Sequence, residues 1–333
     1  MRPLLLSIVI AVSLGCRGKD AETGGRSGGR SGDRSVAVQL NWYPEAEHGG
    51  VYQSAAGELY EAANLQVDIR PGGANTPIAG ELQLGRAEFA IENADDVVLQ
   101  RRRGVDVVAV AAVVQNSPRC ILVQSSTGVT DLTGLKGMTL QLQPGRSFID
   151  FLRQRGVMDG VKEVPYLGSV SSLVADPSVA IQGYLFSEPL MARQAGVEVN
   201  VLMVSDLGWN PYSSVLVTTG EMIRTRPDVV AQFVDATLSG WRAYLDDPKL
   251  GNQAILAANQ HGITPEALDY GIEQLRSLAL PADGGDGAVG QMSPERWETL
   301  VRQMDRLQPS EAGRVKAEDC FTLEFLGRPK EAS

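Results

Sequence analysis

This chain of 333 residues predicts an α/β protein of two lobes with a helical C-terminal third, and three observations carry that reading. Strand-like and helix-like segments alternate from Val36 to Thr219, the pattern of sheets covered by helices. Two extended segments, near 119–124 and 212–218, join two blocks of this alternation, and two crossings between lobes permit a hinge. Beyond residue 226 the character changes to long amphipathic helices.

The first fifteen residues, MRPLLLSIVIAVSLG, hold one Arg before an apolar run from Leu4 to Leu14. That run is too short to cross a hydrocarbon core of about 30 Å, so it reads as an export signal peptide. Cys16 follows the small residue Gly15, and SLGC is similar to the lipobox of bacterial lipoproteins, with Ser13 and Leu14 swapped relative to the usual order. Cys16 is therefore the candidate lipidation site, the alternative being a plain secretory signal with an incidental Cys. Residues 16–35 contain almost no apolar side chain to offset the entropy of ordering, and read as a flexible tether between anchor and body.

From Val36 the body opens as βαβ: VAVQLNW as strand, Gly50 to Ala63 as helix with Val51, Ala55, Leu59 and Ala62 on one face, LQVDIRP as strand. A helix over Thr76 to Leu84, the strand AEFAIEN and a helix over Ala94 to Arg103 follow. VDVVAVAAVVQ is almost continuous Val and Ala, which suits a strand covered on both faces. The second block reads RCILVQSS, GMTLQLQ, a helix opened by PGRSF and ending near Arg155, VKEVPYL, a short helix over Val170 to Asp176, AIQGYLF, the helix EPLMARQAG and VEVNVLMV. After the strand NPYSSVLVTT come helices over Pro227 to Leu245, Gly251 to Gln260, Pro265 to Leu278 and Pro294 to Leu307. Three of them start at a Pro, which is tolerated there because the first-turn N–H has no helical partner.

Composition narrows the function. With 43% hydrophobic and 21% charged residues, the body is an ordinary soluble globule rather than a polytopic membrane chain. Forty acidic against thirty basic residues give a net charge of -10, which excludes nucleic acid as a natural partner. No GxGxxG follows the first strand, and no P-loop or GxSxG occurs. Cys120 and Cys320 read as buried free thiols, and His48 and His261 are too far apart to suggest a zinc site, so neither metal nor cofactor is expected.

VQLNWYPEAEHGGVYQSAAGELYEAANLQVDIRPGG resembles the start of the SsuA/THI5-like (NMT1-type) solute-binding proteins of ABC importers. The similarity continues through FAIENADDVVLQRRRGVDVVAVAAVVQNSP, LKGMTLQLQPG and GYLFSEPLMARQAGVEVNVL, and covers most of residues 36 to 245. The Trp followed by HGG, and the Glu-Pro after GYLFS, are most similar to the branch that binds pyrimidine precursors in thiamine biosynthesis. The resemblance implies a type II periplasmic-binding-protein fold, with residues 36–120 plus 218–333 as lobe 1 and 121–217 as lobe 2. It also implies an exported, periplasmic protein held at the membrane by its lipid, partnered by an ABC permease, with a small pyrimidine-type ligand in the interlobe cleft.

A flat aminopyrimidine needs an aromatic surface to stack on and a carboxylate or amide to pair with its nitrogens. Trp42 and Tyr43 follow the first strand at its carboxyl end, where ligands of open α/β sheets sit, and are the stacking candidates. Glu188 precedes Pro189 after the strand AIQGYLF and matches the family's cleft-facing Glu-Pro; a solvated Glu at a helix start is the alternative. Asn93 is a further ligand candidate and with Asp95 opens a helix, where both also suit capping. Asn41, Glu45, His48 and Tyr212 complete the set. A second function class is an anion or sulfonate binder, with Arg146 beside the helix start at PGRSF. A third is an enzyme similar to the fungal-type thiamine pyrimidine synthase. Alignment on that enzyme puts Glu92 where its Schiff-base Lys falls and Asp96 where its His falls, and a carboxylate cannot form the Schiff base. The chain is therefore expected to bind and not to catalyse.

Overall fold

A computed structural model describes residues 34–279 and 289–327. The export signal, Cys16 and the expected tether up to residue 33 lie outside the described residues, and β1 (Ser35–Gln39) begins at the tether's last residue. In chain order, α1 (Gly49–Ala56), α2 (Leu59–Ala62), β2 (Gln66–Arg70), α3 (Ile78–Gln83), β3 (Phe89–Glu92), α4 (Ala94–Arg102) and β4 (Val107–Val114) follow. The single helix expected over 50–63 is two, because the chain turns at Gly57 and Glu58, the latter at φ 58°. The second block comprises β5 (Arg119–Gln124), β6 (Thr139–Leu142), α5 (Ser147–Gln154), β7 (Lys162–Pro165), α6 (Ser171–Ala175), β8 (Val179–Tyr184), α7 (Glu188–Gln194) and β9 (Val199–Met203). Last come β10 (Ser213–Thr219), α8 (Gly220–Thr225), α9 (Pro227–Asp246), α10 (Lys249–Ala258), α11 (Pro265–Leu278) and α12 (Pro294–Leu307).

Two five-stranded sheets result, ordered β2-β1-β3-β10-β4 and β7-β6-β8-β5-β9. In the first, β1 runs parallel to β2 and β3, while β10 runs antiparallel between β3 and β4. In the second, β6 runs parallel to β7 and β8, and β5 runs antiparallel between β8 and β9. Each lobe thus receives one strand from the chain as it crosses over. The segments near 119–124 and 212–218, expected as the crossings, are these two strands. Sheet membership accordingly places Arg119 and Cys120 with the second sheet and Ser213 to Val217 with the first, unlike boundaries at 120/121 and 217/218. The crossings are the short stretches before them, and Asn210 joins the two: its Oδ1 accepts from the Ser117 N–H at 2.7 Å, and its Nδ2 donates to Asn116 at 3.1 Å.

Helices α1 and α9 cross at small residues, which lets their backbones approach. Gly50 carries no side chain because a Cβ there would stand 2.1 Å from the Trp241 ring, and Ser54 Oγ donates across the crossing to Ala236 O at 3.0 Å. Helix α9 therefore packs on α1 and helps to hold the β1–α1 segment in place, whereas α12 packs against both α4 and α5. Cys120 and Cys320 are both buried free thiols. Among the described residues no helix is long and apolar enough to cross a membrane.

Candidate functional site

The loops at the carboxyl ends of the parallel strands meet where the lobes face each other. Among the described residues, the contacts that cross that boundary include three beside these loops: Arg146 Nη1 donates to Asp96 Oδ2 at 2.8 Å, Asn93 Nδ2 to Tyr184 Oη at 3.4 Å, and Tyr270 Oη to Leu185 O at 3.0 Å. Asn93 and Asp96 follow β3 of the first sheet and Tyr270 lies on α11, whereas Arg146, Tyr184 and Leu185 belong to the block that builds the second sheet.

Around these contacts carboxylates gather. Glu45 and Glu47 lie in the turn between β1 and α1, which the sequence PEAEHGG forms before the two glycines start the helix. Glu188 opens α7 on the other lobe; its Oε1 accepts from Tyr166 Oη at 3.0 Å and its Oε2 from the Tyr184 N–H at 2.7 Å. Burial raises the pKa of Glu45 well above the ordinary range, with Glu47 and Glu188 pushing it further. Glu47, only 2% exposed, rises to about 7, again chiefly through burial, although Ser214 Oγ donates to it at 3.1 Å. Ser214 itself sits at φ 47°, an unusual value for a residue with a side chain, which aims the hydroxyl into the site. Burial also raises Glu188, against the hydrogen bonds it accepts. At the start of α4, Asp95 is pushed up to about 6 by burial and then by Asp96, and burial and Asp96 likewise raise Glu92, whose Oε1 accepts from Gln100 at 2.7 Å. The cations within this group are Arg119 and Arg146. Such a surface holds protons tightly and is short of positive charge, so it favours N–H donors over small anions.

The expected residues divide. Glu188, Asn93, Asp95 and Glu45 come together here. Asn93 precedes α4 but its side chain does not cap it; its Oδ1 accepts from Ser213 Oγ at 2.6 Å and its amide faces Tyr184. Trp42 and Tyr43 are half-buried on lobe 1 with ring centres 5.1 Å apart, and one face of Tyr43 is covered by His261 at 3.8 Å. Asn41 accepts from His48 Nε2 at 2.9 Å, and His48 Nδ1 accepts from the Glu45 N–H at 3.4 Å. Both ring nitrogens of His48 are thus engaged inside the turn, and burial holds its pKa down to about 3, so it stays neutral and braces the loop instead of reaching a solute. Tyr212 is turned the other way, to α12: Arg296 lies 3.9 Å over its ring, and its hydroxyl accepts from the Ser293 N–H at 2.9 Å. The strand after the crossing orients that ring away from the cleft, which a strand-end position alone does not reveal. Glu47, Ser214, Tyr166, Tyr184 and Arg119 were not singled out from sequence; Glu47, two residues from Glu45 in PEAEH, carried the one usable signal.

A two-lobed body whose facing strand ends carry polar groups, joined by two crossings, is the architecture of a type II periplasmic binding protein. Its fold is similar to that of the periplasmic aliphatic sulphonate binding protein SsuA from Escherichia coli, with a TM-score of 0.66 at 12% identity over 90% of this chain and 94% of that one. The chain belongs to the NMT1/THI5-like family, whose sequence profile matches residues 45–250. It is 26% identical over 232 residues to the riboflavin-binding protein RibY of Chloroflexus aurantiacus, spanning 65% of this chain and 64% of that relative's length. It is 25% identical over 298 residues to the formylaminopyrimidine-binding protein of Halalkalibacterium halodurans, spanning 86% and 89%.

Proposed function

We propose that this protein is the solute-binding component of an ABC importer and holds a planar nitrogen heterocycle of the pyrimidine class between its lobes. The observation that supports this most is the acid-rich surface where the lobes meet. Glu45, Glu47 and Glu188 are positioned to accept from ring and exocyclic N–H groups, and Trp42 offers a flat apolar face for stacking. Both relatives named above are called after flat nitrogen-containing rings, in agreement with that lining. No bond is made or broken: contacts to both lobes shift the population to the closed form, which the permease recognises. The positions that a synthase would need hold Glu92, bonded to Gln100, and Asp96, paired with Arg146, and these do not suit Schiff-base chemistry.

Titration of the purified protein with formylaminomethyl- and hydroxymethyl-pyrimidines, riboflavin and an alkanesulfonate, followed by Trp fluorescence, tests the reading. Saturable binding of a heterocycle and none of the sulfonate is the expected result. A response to the sulfonate alone would replace this reading with the anion reading, against which Arg146 being already paired with Asp96 at 2.8 Å now counts. Trp42→Ala should weaken heterocycle binding by ~1 to 3 kcal/mol if the indole stacks in a desolvated pocket; unchanged affinity removes Trp42 from the site.

Export and anchoring complete the proposal, with Cys16 lipidated and the body tethered outside the cytoplasmic membrane. Cys16→Ser in a bacterial host should move the protein from the membrane fraction to the soluble one. Equal membrane association of both forms would leave only a secretory signal.

A further inference from the structure

Arg119 is the odd group in this site. It begins β5, directly after the first crossing, and is 93% buried at 7% exposure, yet among the described residues no carboxylate forms an ion pair with it. Its guanidinium lies between two rings, 4.5 Å from the centre of Phe148 and 4.9 Å from that of Tyr184, and makes one side-chain hydrogen bond, from Nη2 to Tyr184 Oη at 2.9 Å. A guanidinium carries five N–H donors, so most of its capacity is unspent. Its charge is nonetheless felt by Glu47, Asp95 and Glu188, which surround it without closing on it. Buried charges are ordinarily paired, because desolvation without a partner is costly. The two rings and Tyr184 hold the fork in one orientation in advance, an expense that makes sense for a group awaiting an acceptor.

We propose that Arg119 is the specificity-determining residue of the cleft and donates to a carbonyl oxygen of the ligand, so that the protein selects heterocycles that carry a formyl or oxo group over analogues that lack it. The inference rests on the heterocycle reading above and sharpens it. The carboxylates accept the N–H groups of the ligand, and Arg119 supplies the complementary donor that they cannot. A site built around a committed donor discriminates strongly, because an analogue without the oxygen leaves the buried guanidinium unsatisfied.

The test uses the purified protein with two oxygen-bearing probes, formylaminomethyl-aminopyrimidine and riboflavin, and one oxygen-free probe, 4-amino-2,5-dimethylpyrimidine. Wild type should bind at least one oxygen-bearing probe tenfold or more tighter than the oxygen-free one. Arg119→Met, which keeps the apolar stem between the rings, should erase that preference, bringing the ratio of the two affinities to within about threefold of one whatever change both probes share; Arg119→Lys should keep part of it. Equal affinities in wild type, or a preference unchanged in Arg119→Met, overturn the proposal while the heterocycle reading stands. Binding of none of the three probes overturns both. If Arg119→Met does not fold, Arg119→Lys carries the test, and a preference there undiminished from wild type overturns the proposal.

Discussion

Glu47→Gln should raise the melting temperature at pH 8 and flatten its dependence on pH between about 5 and 8. In the folded protein burial lifts the Glu47 carboxyl from 4.5 to about 7, so between those values the native state holds a proton that the unfolded chain has released. The stability linked to that proton is complete below the unfolded value and is lost as pH rises through 7. At pH 8 the buried ionised form costs on the order of 3 kcal/mol, from about 1.4 kcal/mol for each pKa unit. Gln keeps an oxygen to accept from Ser214, which now donates to Glu47 at 3.1 Å, but carries no charge to desolvate. A gain of roughly 5 °C by calorimetry at pH 8 and almost none at pH 5 is the expected pattern. Asp95, lifted from 3.8 to about 6, should leave a smaller residual slope at lower pH in both proteins. A variant that melts at or below wild type at pH 8, with the slope intact, would mean that Glu47 ionises as an ordinary carboxylate and that burial does not make it hold its proton.

That dependence was not legible in the sequence, and the reason is physical. PEAEH looks like a solvated acidic turn, since nothing local records that α11 and the opposite lobe close over it; a Cβ at Gly271 of α11 would stand 2.7 Å from Ala46 Cβ. Local signals served well where structure is local. Thr264 and Ser293 cap α11 and α12 through their side chains and a Pro follows each, so both helices start and stop where expected. Non-local pairing is different: RCILVQ and SSVLVTT announce two strands, but not that each inserts antiparallel into a sheet otherwise made of parallel strands. Side-chain direction was the other blind spot. Tyr212 and Arg119 both stand at strand starts beside the crossings, and only the packed structure shows the first turned to α12 and the second set between Phe148 and Tyr184. Glu188 stands out in the sequence because a family motif marks it, whereas Tyr166, which donates to it, has no motif of its own.

Arg146→Met should loosen the closure of the lobes on each other. Arg146 precedes α5 on lobe 2, is fixed by Gln143 Oε1 at 3.0 Å, and reaches Asp96 of lobe 1 at 2.8 Å. The two side chains are 28% and 17% exposed, so the pair stands between surface pairs, worth about 0 to 1 kcal/mol, and buried pairs, whose breakage costs about 3 to 5 kcal/mol. An intermediate cost of about 2 kcal/mol corresponds to more than tenfold in the population of closed form and in the affinity that depends on it. Loss of the cation also leaves Asp96 beside Asp95 and Glu92, whose carboxyls Arg146 now helps to keep ionised, and that repulsion acts at the mouth of the cleft. Small-angle scattering of the ligand-free variant should show a larger radius of gyration than wild type, and ligand affinity should fall about tenfold. Asp96→Asn should do less, because the amide still accepts from Arg146 and relieves its acidic neighbours. The double variant should accordingly bind better than Arg146→Met alone, since with both charges gone the lobes have lost an attraction but gained no repulsion. If scattering and affinity stay at wild-type values in Arg146→Met, the pair only decorates the closed form, and closure is held by the Asn93–Tyr184 and Tyr270–Leu185 contacts.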